Sequence, residues 1–481
     1  MLMFIKKYLI SLLIFITIIT SLTSCQFVTS LKQIKDNIKK NYLGFTIMPD
    51  LFREDVLEHA KIENDILYAS TFPSHINDGD VYTSRFFAFN LKTKKIIWEN
   101  RYLSSENIFS INEEISIKDN NMYLGVNEKV IATGRAGIIN AISFFYCIDK
   151  NTGKQIFKIP LYCTNSPFIY NEYILIGSQT VQNTKLISDF SFNMINSLSG
   201  KVEFSYKINS KWTGAPAIYK NFCAIVTDDR SVYFFDLEKK RFISKQTNRT
   251  SDNDPFPYDS SPVVFNDLVF SINEKKGLVL AAYYMETGNI AWSRDRFTLD
   301  NKEYDLSCEQ PFIYKDSLIC HANIPSNTLL WIDPKSGILQ KTSKITYPNF
   351  ENMIITSGYY RSLLDGNKLY LFDDYGNNFP DIPIIKDDVF GYPNTLFCFN
   401  LDDDHLEFIT EIAVDGYYYN IKSVDKDTLY LETTSCLYLI DKFNGNYKDF
   451  LFFKDGKVIS KYDEIMKYSK KKLSEKAKWW F

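Results

Sequence analysis

One turn recurs along the chain, and its spacing limits the available folds more than any other feature. Aligned on its first residue, the turn opens at Asn90, Asp149, Asn196, Asp236, Tyr284, Asp333, Asn400 and Asp441. Four residues later stand Lys94, Gly153, Gly200, Lys240, Gly288, Gly337, Asp404 and Gly445. The residue types suit the positions. An Asn or Asp side chain accepts from the backbone two residues on and starts a turn. Gly closes it with a positive φ at little steric cost. Lys94 and Lys240 would be strained there, so those two turns are expected to be built differently. Four residues past the closing position come Trp98, Phe157, Phe204, Trp292 and Phe408, while Ser244, Lys341 and Asp449 take that place in three other repeats.

A second pattern lies upstream of each turn. It is an apolar run, a polar pair rich in Asn, Asp and Lys, and another apolar run, as in "SPFIYNEYILIG" and "SPVVFNDLVFSI". This is a hairpin signal. Eight hairpins alternate with eight turns, and the unit returns about every fifty residues, enough for four short strands. One such sheet cannot bury both faces alone, whereas a ring of sheets can. The expected fold is therefore all-β, an eight-bladed β-propeller with four-stranded antiparallel blades. A seven-bladed ring with a stray hairpin and a pair of β-sandwiches are the alternatives. An aromatic content of 16%, with 32 Tyr and 38 Phe, suits the pleated, half-buried surfaces of such strands.

The N-terminus carries an address. Lys6 and Lys7 precede a mostly apolar run over residues 8–19, short for a membrane span of about 20 residues and laid out like a secretory signal peptide. The sequence Leu22-Thr23-Ser24-Cys25 resembles the lipobox of bacterial lipoproteins. That resemblance implies a diacylglyceryl group on the Cys25 thiol and cleavage before it; an uncleaved signal anchor is the other reading. Gln26 follows the cysteine, with no Asp to suggest inner-membrane retention. The expected location is the bacterial cell envelope, on the periplasmic face of the outer membrane. The expected organisation is a leader over residues 1–24, a tether over 25–44, the propeller over 45–453 and a basic helical tail over 454–481. In that tail Tyr462, Ile465, Met466, Leu473, Ala477 and Trp480 could share one helical face, with lysines on the other. It reads as a docking helix or as a helix that binds lipid headgroups.

Residues that carry chemistry are few. Seven cysteines remain besides Cys25, and no CxxC occurs. Cys147 and Cys398 stand two residues before a turn, where other repeats place Ala88, Ala282 or Leu439, so both read as core residues. A disulfide among Cys163, Cys223, Cys308, Cys320 and Cys436 stays open. His59, His75, His321 and His405 form no metal-ligand pair, and neither a P-loop nor a GxSxG motif is present. The net charge of −3 gives no electrostatic reason to expect nucleic-acid binding. No catalytic residue, metal or cofactor is expected.

The segments "IDKNTGKQIF", "YYMETGNIAW" and "IDPKSGILQK" resemble the pyrroloquinoline-quinone-like propeller repeat, over residues 57–453. That family holds both enzymes and scaffolds. Its quinoprotein dehydrogenases often use adjacent cysteines, a calcium site and a catalytic Asp. The chain has no Cys-Cys dipeptide. With the lipobox, the repeat resembles the propeller lipoproteins of the outer-membrane barrel-assembly machinery. The resemblance implies a lipid-anchored, non-catalytic scaffold that binds an envelope protein through propeller loops. The interruptions at 127–140, 246–261 and 373–394 are the candidate loops. A quinone-dependent dehydrogenase and a small-molecule or glycan receptor using the central funnel are the alternatives.

Overall fold

Period-two alternation of large apolar side chains builds the strands, and the second and third strands of a blade bury both of their faces. Residues 122–126 and 145–148 in the second repeat illustrate this. Met122, Leu124, Tyr146 and Ile148 pack against the preceding repeat. Tyr123, Phe145 and Cys147, on the opposite face of the same strands, pack against the following one. A sheet buried on both faces needs a neighbour on both sides, and eight such sheets close into a ring.

The computed structural model describes residues 55–460 apart from 74–81, 105–109, 112–113, 133–137, 183–184, 230, 248–260, 275–277, 308–309, 325–327, 346–360, 374–393, 413–419, 434–435 and 455–456. The leader, the lipobox with Cys25, the tether, His75, Cys308 and residues 461–481 lie outside the described residues. Among the described residues, blade 1 covers 55–104, blade 2 110–160, blade 3 162–208, blade 4 212–246, blade 5 263–294, blade 6 297–344, blade 7 361–412 and blade 8 420–460. The principal strands of every blade pair antiparallel in chain order. First strands of neighbouring blades meet one another, so they line the axis and the fourth strands form the outer wall.

The axial strands are irregular in a way the sequence explains. In blades 2, 3 and 6 the first strand is split in two, and in blades 1, 4 and 8 it carries a register shift. Pro167, Pro216 and Pro311 fall at these breaks, and Pro262 immediately precedes the first strand of blade 5. Proline has no N–H to give a ladder, and a sheet edge tolerates that loss. Side chains tie the freed backbone to the next blade. Glu114 N donates to Ser166 Oγ at 3.2 Å, and Ala215 N donates to Ser261 Oγ at 2.7 Å.

Two blades carry additions. Blade 6 begins with a hairpin in which Phe297–Leu299 pairs with Lys302–Leu306, and Phe297 and Tyr304 are buried between blades 5 and 6. Blade 8 gains a fifth strand, Lys457–Ser460, on its outer edge. The propeller thus extends past the expected boundary at 453, and the start of the expected helical tail is strand. The reason is local. Asp455-Gly456 is a two-residue hairpin signal, and Val458 and Ile459 follow it.

Each of the eight seams between blades holds one cluster of buried apolar side chains. Every fully buried Phe or Leu contributes roughly 1.5–3 kcal/mol relative to exposure. Among the described residues the closing seam, between blades 8 and 1, exchanges no strand: each of the two blades is made of consecutive strands. It is held by packing of Leu57, Leu67, Ala69 and Phe87 on Leu437, Leu451 and Phe453. Within it the Glu432 carboxylate accepts from Ala60 N at 2.6 Å, away from water.

Candidate functional site

The strand order sorts the connections onto two faces. The hairpin tip between strands 1 and 2 and the turn between strands 3 and 4 share one face, hereafter the turn face. Connections between strands 2 and 3, and from blade to blade, lie on the other. The described chain enters on that loop face, because Asp55 pairs with Pro73 and the first strand runs towards the tip at Asn64 and Asp65. The candidate loops at 246–261 and 373–394 belong to the loop face and lie mostly outside the described residues. The third, 127–140, is mostly strand: Asn121–Ala132 pairs with Ile138–Asp149 as one long hairpin that projects from blade 2.

The turns on the turn face follow one plan. Asn90 Oδ1 accepts from Lys92 N at 3.0 Å and Thr93 N at 2.7 Å. Asp149 Oδ1 accepts from Asn151 N at 3.0 Å and from Thr152 N and Oγ1 at 2.8 Å. Asn196, Asp236, Asp333, Asn400 and Asp441 take backbone N–H groups in the same manner. Tyr284 has no such oxygen; in its turn Gly288 N donates to Tyr284 O at 2.7 Å and Asn289 N to Thr287 Oγ1 at 3.2 Å. Hydrogen bonds from the Thr152 and Ser336 hydroxyls hold the Asp149 and Asp333 carboxyls below the usual range.

The closing position overturns one expectation. Gly153, Gly200, Gly288, Gly337 and Gly445 have φ of 69–72°. Lys94, Lys240 and Asp404 adopt the same left-handed backbone, with φ of 56°, 50° and 55°. All eight turns are therefore built alike. What differs is the partner on the preceding blade. A Cβ added at Gly153 would lie 2.6 Å from Trp98 Cε3; at Gly200 it would lie 2.8 Å from the Phe157 ring, at Gly337 2.7 Å from Trp292, and at Gly445 2.4 Å from Phe408. The aromatic of one blade lies flat on the glycine of the next. Trp98 Nε1 also donates to Lys150 O at 2.7 Å, and Trp292 Nε1 donates to Pro334 O at 2.8 Å.

Where glycine is missing, this aromatic lock is replaced. Between blades 8 and 1, Asp449 stands at the aromatic position and meets Lys94 at 2.5 Å. Between blades 6 and 7 the charges are reversed: Lys341 meets Asp404 at 3.0 Å, and Ser343 Oγ donates to Asp404 Oδ1 at 2.7 Å. Between blades 3 and 4, Lys240 pairs with Glu203 at 3.3 Å, while Phe204 turns to the Phe235 ring, 6.4 Å away. Ser244 donates to Thr287 O at 2.8 Å across the seam to blade 5. Four of the six departures noted in sequence form two complementary pairs, Lys94 with Asp449 and Lys341 with Asp404. Each partner sits in a different repeat, so alignment of single repeats does not reveal them.

The described thiols and the His321 imidazole lie inside the blades. Cys147, Cys163, Cys223, Cys320, Cys398 and Cys436 are buried and free of disulfides. Burial pushes the Cys147, Cys398 and Cys436 thiols up to about 12, so they carry no thiolate at neutral pH. This agrees with the reading of Cys147 and Cys398 as core residues. Burial lowers His321 to about 4. Among the described residues no group of three or more His, Cys, Asp or Glu is placed to hold a metal ion.

Among the described residues the large exposed apolar side chains have a different distribution. Ile96, Ile97, Ile156, Leu198, Val202, Tyr284, Ile290, Ile338 and Phe443 are 40–73% exposed. All nine fall in the turns between strands 3 and 4, or in the residues flanking them. They make an apolar rim around the turn face, interrupted at blade 4 by Glu238, Lys239 and Arg241 and at blade 7 by Asp402, Asp403 and Asp404. Sequence reading sought the binding surface where repeats diverge. The rim lies within the repeated turns, at positions that core packing leaves free to vary.

No protein-family model matches the chain, and no curated protein matches it. Among solved structures, the chain is similar to BamB from Moraxella catarrhalis, at 12% identity over 66% of this chain and 96% of that chain, with a TM-score of 0.39. It is similar to the computationally designed Ika8 protein, at 12% identity over 74% and 94% of the two chains, TM-score 0.46. It is also similar to a quinohemoprotein alcohol dehydrogenase from Pseudomonas putida HK5, at 10% identity over 82% of this chain and 67% of that chain, TM-score 0.37. At such identities the likeness concerns the fold alone, and the blade count rests on the strand pairing and seams described above.

Proposed function

We propose that the protein is a non-catalytic binding scaffold of the bacterial envelope, anchored through lipid on Cys25, whose turn face docks a protein partner. The apolar rim carries this reading. A ring locked by eight cross-blade contacts is a stiff platform, so little ordering cost falls on its side of a complex. Exposed apolar surface on such a platform suits a docking face, and these nine side chains are spread over six of the eight blades on one face of the ring. The 30 residues from Cys25 to residue 54 lead into the loop face. A membrane anchor would therefore be joined to the ring on its loop face.

Affinity purification from solubilised envelopes tests both parts. A variant with Ile156→Asp, Leu198→Asp and Val202→Asp should keep the β-rich circular dichroism of the parent and lose its reproducible partner. Retention of that partner would move the binding surface elsewhere. Cys25→Ser should release the protein from the membrane fraction, and a full-length, membrane-bound Cys25→Ser protein would sink the lipid-anchor part.

A further inference from the structure

The residue after the closing position of each turn opens the fourth strand, and its chemistry divides the ring in two. In blades 1–4 it is Lys95, Lys154, Lys201 and Arg241; in blades 5–8 it is Asn289, Ile338, His405 and Asn446. The four cations occupy one structural position. Lys95 and Arg241 pair with Asn90 and Asp236, and the carbonyls of Lys154 and Lys201 accept from Asp149 N and Asn196 N. Each therefore stands opposite the residue that opens its turn. All four are exposed.

Other cations of these turns hold the ring together. Lys92 meets Asp65, Lys94 meets Asp449, Lys150 meets Glu63 and Lys240 meets Glu203. The row is less committed. Lys201 meets Glu203 at 3.2 Å and Arg241 meets Asp236 at 3.6 Å, yet their side chains stay 72% and 60% exposed. Lys95 and Lys154 form no ion pair among the described residues. Exposed aliphatic side chains stand beside the cations: Ile96 and Ile97 on blade 1, Ile156 on blade 2 and Val202 on blade 3.

This arrangement selects among anionic ligands. Sheets pack about 10 Å apart at mid-blade, and eight of them in a ring put neighbouring fourth strands about 15 Å apart. That spacing is sparse for a phosphate backbone. The companions are also aliphatic rather than the aromatic platforms on which bases stack. A bilayer laid flat on the turn face would press anionic headgroups against the hairpin-tip acids Asp65 and Glu172, and against Asp402, Asp403 and Asp404. A narrow ligand that follows the rim avoids them. An extended polypeptide covers about 15 Å in four or five residues, and the whole row in about 14.

We propose that the turn face takes an acidic, extended polypeptide segment along the rim of blades 1–4. Its carboxylates lie against Lys95, Lys154, Lys201 and Arg241, and its apolar side chains lie against the aliphatic residues beside them. This names the chemistry of the partner and rests on the scaffold reading above.

The test is fluorescence anisotropy of a labelled peptide of about 14 residues, with Glu at every fourth or fifth position and Leu and Ser between, titrated with the detergent-solubilised full chain. Binding should weaken about tenfold or more between ~50 and ~300 mM salt. It should weaken to a similar degree in the variant Lys95→Gln, Lys154→Gln, Lys201→Gln, Arg241→Gln, whose urea midpoint should match the parent. Lys302→Gln with Lys335→Gln, on blade 6, should leave binding unchanged. Absence of binding, equal binding of the peptide with Lys in place of Glu, or undiminished binding by the four-Gln variant would overturn the proposal. So would binding of phosphatidylglycerol nanodiscs or oligo-dT in place of the peptide. The two readings fail separately. If the aspartate variant of blades 2 and 3 loses the envelope partner while the four-Gln variant recovers it in full, the scaffold stands and the acidic segment is refuted. If the aspartate variant keeps the partner, the scaffold reading of this face falls, whatever the peptide does.

Discussion

Replacing Lys341 by Trp and Asp404 by Gly should rebuild the seam between blades 6 and 7 as the lock found between blades 1 and 2. The magnitudes follow from the contacts. Trp98 and Trp292 lie 2.6 Å and 2.7 Å from where a Cβ on their partner glycines would be. Lys341→Trp alone therefore drives an indole against the Cβ of Asp404, an overpacking cost of about 1–3 kcal/mol. Asp404→Gly alone loses an ion pair whose ends are 46% and 37% exposed, worth under about 1 kcal/mol. It also loses the Ser343 bond, worth about 1 kcal/mol, and gains about 1 kcal/mol by relieving a left-handed backbone. The net change is small. In the double variant the indole finds its glycine, buries its ring and can donate to the Leu401 carbonyl, as Trp98 does to Lys150. Lys341 also sits 4.0 Å from the Trp331 ring centroid. That contact is lost in both Lys341 variants and cancels from the coupling. The expected coupling is about 3 kcal/mol, favourable, read from urea unfolding of the four proteins. Effects that add to within about 0.5 kcal/mol would refute the idea that aromatic and glycine act as one unit.

Other expectations concern stability and pH. Glu432→Ala should cost about 1–3 kcal/mol by stranding Ala60 N–H in the closing seam, and should speed hydrogen exchange in blades 8 and 1 before the other blades. Gly337→Ala should destabilise by about 2–4 kcal/mol in denaturant titration, through left-handed strain plus contact with Trp292. His321 titrates near 4 in the fold and near 6.5 when unfolded. The unfolded chain therefore binds the proton first, and stability is lost as pH falls from 6.5 to 4. The loss attributable to His321 is about 3 kcal/mol, and it should disappear from the pH profile of His321→Asn relative to the parent.

Much of this architecture was legible because repetition amplifies weak signals. Asp149 and Gly153 alone describe any turn, but eight copies in register describe a ring. The partnership of Lys94 with Asp449 was not legible. It joins residues 355 apart, and each looks like a defect when its own repeat is aligned with the others. The left-handed backbone of Lys94 and Lys240 is hidden for a related reason: the local steric cost is visible in one repeat, but the cross-blade ion pairs to Asp449 and Glu203 are not. The fifth strand of blade 8 was signalled by Asp455-Gly456, but it lay beyond the last repeat and so outside the pattern being followed. The apolar rim was hidden because an isoleucine that faces solvent in a strand reads the same as one that faces the core. Only the register, in which Phe157 packs inward and its neighbour Ile156 does not, tells them apart.

The closing seam without an exchanged strand has a kinetic consequence. Seven seams join blades adjacent in the chain, so each can form once about fifty more residues are available. The eighth must bring Lys94 to Asp449 across 355 residues, which raises the entropy of closure by about 1.7 kcal/mol over a fifty-residue loop. The increment is modest, but it has to be met last, when the intermediate is an open arc with one bare apolar flank at each end. Leu57 and Phe87 on one flank, and Leu451 and Phe453 on the other, are then exposed together. An arc of this kind can join its own ends or those of another chain. Refolding yield should therefore fall with protein concentration, with blades 1 and 8 as the site of intermolecular capture.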